Sequence, residues 1–197
     1  MTSLIDIHLE KIEQHLDEEN KANWKVIEGA SGEVIAKLLA VYPNCPADLV
    51  KLLKRVDGTY WRKYGETTVN FLLFGSDVGE DFGYYLLSCK NIIEESKYNQ
   101  SIAESYGEWL GQDDIIFVDK RIDINVNMDK RLCFAHCMNN GGTSILYIDF
   151  NPTHGGKVGQ VIRYLHDPDS YIVLADSFEQ YLKNLTKTDY VFVSEYD

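Results

Sequence analysis

A chain of 197 residues with 45% hydrophobic content buries one sizeable core, and one domain is the expectation. Its 31 acidic residues exceed the 19 basic ones, leaving a net charge of −12, a field that repels nucleic acid and anionic membranes and attracts basic partners. No apolar run is long enough to span a bilayer, and four irregularly spaced cysteines (Cys45, Cys89, Cys133, Cys137) make no disulfide framework, so a reducing cytoplasm is expected.

The opening MTSLIDIHLEKIEQ has neither the basic leader nor the apolar core of a secretory signal. Ile5, Leu9, Ile12 and Leu16 recur at helical spacing, which predicts an amphipathic helix that ends over residues 18–21. Ser31-Gly32-Glu33 opens a second helix, with Val34, Ile35, Leu38 and Leu39 facing inward. Pro43 and Pro46 break it. Pro46 then starts a third, with Asp48 in the positive first turn, a stripe of Leu49, Val50, Leu52, Leu53 and Val56, and Gly58 as its terminator after Asp57.

From Val69 the period changes. Residues 69–74 and 84–87 read as strands, 88–106 as helix broken near Asn99, and 115–118 and 132–138 as strands. Asn139-Asn140-Gly141-Gly142 is a hairpin turn, and 143–150 returns from it. Residues 158–165 alternate, Asp167-Pro168-Asp169 turns the chain, and 171–175 is a further strand. Asp176 with Glu179 and Ser177 with Gln180 offer two capping boxes before Phe178, Tyr181, Leu182 and Leu185. Residues 190–193 read as an edge strand or a disordered end. Helices first and turn-linked strands afterwards predict an α+β fold, a largely antiparallel twisted sheet with helices packed on it.

Three stretches resemble the SMI1/KNR4 family of the SUKH superfamily: GGKVGQVIRYLHDPDSYIVLADSFEQYL at 155–182, YPNCPADLVKLLKRVDGTYW at 42–61, and FLLFGSDVGE at 71–80. The first is the most specific, being long and ordered. The resemblance implies an SMI1/KNR4-like domain over 31–186, an N-terminal helical extension over 1–30 and a tail over 187–197.

Constellations for chemistry fall short. In a regular strand Cys133 and Cys137 share one face while His136 points to the other, so two buried thiols are expected there, with no zinc set of four. His154 and His166 sit in turns as solvated histidines, with no nucleophile for them to activate. The carboxylates Asp77, Glu80, Asp81, Asp167 and Asp169 lie in turns and stay solvated. Gly155-Gly156-Lys157 lacks phosphate-loop spacing and opens a strand. No catalytic residue, metal or cofactor is expected.

An interaction surface remains. Asp57, Thr59, Tyr60, Trp61, Tyr64, Glu66, Asp77, Glu80, Asp81, Tyr84 and Tyr85 interleave acids with aromatics, the residue types that steer a basic protein and then hold it. The competing reading makes Trp61, Tyr84 and Tyr85 core residues and the acids a solvated rim. The family resemblance implies a non-enzymatic immunity protein that occludes a cognate toxin domain, often a nuclease, as a monomer or weak homodimer. It also admits a regulatory scaffold like the fungal cell-wall regulator for which the family is named. A hydrolase or transferase with an unrecognised site is the third possibility.

Overall fold

The computed structural model describes residues 3–78, 82–137 and 143–193. Helix α1 (Leu4–His15) starts at a capping box, in which the Asp6 amide donates to Ser3 Oγ and the Ser3 amide donates back to Asp6, both at 3.2 Å. Ile5, Leu9, Ile12 and Leu16 are buried, as their spacing predicts. The chain does not simply end its helix at residues 18–21. Asp17 accepts from the Asn20 amide at 2.6 Å and caps a further helix, α2 (Glu18–Trp24).

Ser31 caps α3 (Gly32–Val41), and α4 (Ala47–Leu53) begins directly after Pro46. Helix α4 stops four residues before Asp57. The Leu53 carbonyl accepts from the Ala30 amide and the Asp57 amide donates to Glu28, so the chain leaves the helix to pair with residues 28–30. Gly58 has φ +96°, and a Cβ there would lie 2.7 Å from the Ser88 nitrogen, so both conformation and close approach require glycine.

The strand expected over 69–74 divides. β1 (Arg62–Tyr64) and β2 (Thr67–Val69) form a small separate hairpin, and only its end joins the main sheet as β3 (Phe74–Gly75). β4 (Gly83–Leu86) follows. Then come α5 (Cys89–Glu95) and α6 (Ile102–Tyr106), broken around Asn99 as predicted. β5 (Ile116–Val118), β6 (Arg131–Cys137), β7 (Ser144–Asp149), β8 (Gln160–Leu165) and β9 (Asp169–Ala175) complete the strands before α7 (Phe178–Leu185). Of the two capping boxes, Ser177 supplies the cap, accepting from the Gln180 amide at 3.1 Å. The expected turn at 139–142 lies outside the described residues.

The sheet runs β3-β4-β6-β7-β8-β9-β5, antiparallel throughout except that β5 lies parallel to β9 at the edge. Its first face buries Leu132, Phe134, Leu146, Ile148, Val161 and Ala175 in the main core with α1, α3, α4, α5 and α7. Its second face holds Ile162, Tyr171 and Val173 beneath Ile102, Ile116, Ile122 and Met128, a smaller core.

The segments expected as extension and tail share the main core. Tyr190 and Phe192 are buried beside a 3₁₀ turn (Val191–Val193), correcting the edge-strand reading. His8 Nδ1 lies 2.8 Å from the Tyr190 hydroxyl, and Lys11 donates to the Thr186 carbonyl at 2.6 Å.

A buried charge fastens the smaller core. Arg131 is almost fully enclosed, donates to the carbonyls of Val126 (2.8 Å) and Asp123 (2.7 Å), and lies 3.3 Å from Asp149. Gln160 donates to the other Asp149 oxygen at 3.0 Å. The interior charge is thereby paired and its groups largely satisfied, the condition for tolerating it. Among the described residues no helix is long and apolar enough to cross a membrane.

Candidate functional site

Residues facing each other across a ladder share a sheet face. On the second face the register sets Tyr85 beside His136, His136 beside Ile145, Ile145 beside Tyr164, and Tyr164 beside Tyr171. A parallel row places Cys133 beside Tyr147 and Tyr147 beside Ile162. Tyr85, Ile145, Tyr147 and Tyr164 are half-buried, so this face is partly open to solvent.

One irregularity shapes it. The β6–β7 register shifts between Cys133 and Ala135, a bulge that gives Phe134 and Ala135 to the main core together. Cys133 and His136 consequently fall on the same face, Sγ to Nε2 3.2 Å, and Cys137 falls on the opposite one. This reverses the arrangement that strict alternation predicts. Glu95 at the end of α5 approaches His136 Nε2 to 3.9 Å, and the three ligand atoms of Glu95, Cys133 and His136 lie within 4.8 Å of one another.

The protonation of these groups follows from enclosure. Burial, then the Glu95 charge, pushes the Cys133 thiol well above its ordinary range. Burial lowers His136 to about 4. The pair is therefore thiol and neutral imidazole at pH 7, whereas a cysteine nucleophile needs thiolate character. Burial, and then Glu94, raises the Glu95 carboxyl.

Beside the trio lies a cavity of about 220 Å³, lined by Glu95 and by Tyr98, Tyr106, Tyr147, Tyr164 and Tyr171 among others. The Tyr164 and Tyr171 rings are 4.8 Å apart, and Tyr106 meets Tyr171 edge-on at 6.5 Å. The Tyr106 and Tyr164 hydroxyls donate to Asp169, Tyr164 at 3.3 Å, and His166 Nδ1 is 2.6 Å from the same carboxylate. Burial alone would raise Asp169, but the hydrogen bonds from Tyr106 and His166 outweigh it and hold the carboxyl below its usual value. The turn acid expected to be free and solvated is thus the hub of a polar cluster.

The residues singled out from sequence separate into several groups. Asp57 is 6% exposed. It accepts from the Cys89 amide, at the start of α5, and from Arg62, each at 2.8 Å. Thr59 is buried, exchanging hydrogen bonds with the Leu86 backbone. Tyr64 is buried with its hydroxyl on the Gly58 carbonyl at 2.9 Å, and Tyr84 is buried with its hydroxyl 2.7 Å from Ser144. Asp57, Tyr64 and Tyr84 are thus corrected from surface residues to interior ones, since their polar atoms are consumed by backbone and neighbouring side chains. Asp77 stays partly exposed but accepts two hydrogen bonds from the buried Arg163, at 2.6 and 3.0 Å.

Trp61 is 66% exposed, Glu66 is fully exposed, and the half-buried Tyr60 packs on Tyr85 at 5.3 Å between ring centroids. Glu80 and Asp81 lie outside the described residues. Tyr85 links this group to the tyrosine row. Sequence reasoning did not single out Tyr98, Tyr106, Tyr147, Tyr164, Tyr171 or Glu95. The parity of the strands at 143–150 and 158–165 puts Tyr147 and Tyr164 on one side of each strand, but only the ladder register puts those sides on one face.

The model of the SMI1 / KNR4 family (SUKH-1) matches residues 29–184. No curated protein matches the chain.

Proposed function

This chain belongs to the SMI1/KNR4 family (SUKH-1), and from that premise we propose that it is an immunity protein. In this reading it binds a cognate toxin domain of the nuclease class in the cytoplasm and blocks it by stoichiometric occlusion, with no bond-making step. The match to this family over residues 29–184 supports a protein-binding role.

The observation that carries the reading is a half-open aromatic face displayed by a chain of net charge −12. A nuclease must hold a polyanion, so its cleft is basic. An acidic inhibitor is steered to that cleft, and tyrosine and tryptophan supply the contact energy once there. The proposed contact surface runs from Trp61 and Glu66 through Tyr60 and Tyr85 to Tyr164, with Glu80 and Asp81 included on sequence grounds.

The test is co-expression with candidate nuclease toxin domains, starting with any encoded by the neighbouring genes, followed by titration of the purified pair. One equivalent of this protein is expected to abolish toxin activity in a 1:1 complex. Trp61→Ala, at an exposed position that leaves the core intact, is expected to weaken capture at least tenfold. A toxin that stays fully active beside saturating protein refutes the proposal.

A further inference from the structure

We propose that the tyrosine-lined cavity is a socket for one cationic side chain, an arginine or lysine, of the protein partner. The inference rests on the reading that this partner is a basic protein.

Tyr98, Tyr106, Tyr147, Tyr164 and Tyr171 line a single cavity with Glu95. Ring faces attract a cation through their quadrupole, and clustered rings are how proteins hold ammonium and guanidinium groups. Tyr106 and Tyr164 donate their hydroxyl protons to Asp169, which polarises electron density back toward both rings and strengthens that attraction. Glu95 completes the argument. Its half-buried carboxylate has no Lys or Arg partner among the described residues. Arg131 also borders the cavity, but its charge is engaged by Asp149 and by the Val126 and Asp123 carbonyls. At about 220 Å³ the space is below the ~300 Å³ at which small-molecule pockets begin, and it suits the end of one side chain.

The experiment titrates N-acetyl-arginine amide and its neutral isostere N-acetyl-citrulline amide into the full chain, with a chelator present so that no metal occupies Glu95, Cys133 and His136. Tyrosine-ring NMR signals report binding. The arginine amide is expected to shift the Tyr164 and Tyr171 rings saturably and to bind roughly tenfold tighter than the citrulline amide. Glu95→Gln, nearly isosteric, is expected to bring that ratio close to one, and Tyr164→Leu to weaken the arginine amide comparably. An unchanged melting temperature certifies each variant as folded. Equal binding of the two amides, no ring shift up to the solubility limit, or a preference that Glu95→Gln leaves intact overturns the socket. If the socket fails while the toxin is still neutralised, the proposed function stands, and cation binding without toxin capture refutes only the function.

Discussion

His8 carries no charge in the native protein, because burial lowers its pKa from 6.5 to about 4 against a weaker opposing pull from the Leu73 backbone. His136 is lowered to about 4 by burial as well. The unfolded chain regains the ordinary value, so between about pH 4 and 6.5 it binds more protons than the folded chain. The stability contributed by these neutral rings is full above 6.5 and is lost as pH falls toward 4. For His8 alone the loss amounts to about 3 kcal/mol. His8→Phe preserves the stacking on Phe74, at 5.7 Å in the native pair, and is expected to flatten the fall of melting temperature between pH 7 and 4.5. A slope identical to that of the native chain sinks the assignment. At this scale the sequence was least legible. Asp57, Tyr64 and Tyr84 looked like contact residues because acids and tyrosines suit surfaces, and only the partners at Cys89, Gly58 and Ser144 account for their burial.

Among the elements, α1 lies outside the matched family stretch, yet Ile5, Leu9, Ile12 and Leu16 sit in the main core with Phe74, Leu182 and Tyr190. The helix is therefore structural before it is anything else. Ile12 is fully buried, and Ile12→Ala is expected to cost about 2–5 kcal/mol, read as a shift in the denaturant midpoint. A midpoint within error of the native value would make α1 a detachable appendage. Periodicity located α1, α3 and α7 because their apolar stripes repeat every three or four residues. It did not foresee α2, which buries no side chain fully and so leaves no stripe to read. Nor did it foresee the end of α4, which is settled by backbone bonds to residues 28–30.

For the whole molecule, the net charge of −12 acts at a distance that no single residue reaches. Capture of a basic toxin is expected to slow at least tenfold between low salt and 0.5 M salt in stopped-flow measurements, with dissociation much less affected. An association rate indifferent to salt counts against electrostatic steering. The sequence by itself determined the α+β class, the antiparallel order of the later strands and the acidic field, since these follow from local period, turn chemistry and composition. Only the tertiary structure decided which face is open and what lines it. The bulge after Cys133 breaks the two-residue period and brings His136 round to the thiol, the ladder register aligns tyrosines from β4, β7, β8 and β9, and α5 delivers Glu95 from a distant part of the chain. Contacts between distant segments depend on how the chain closes on itself, and local pattern carries no record of that closure.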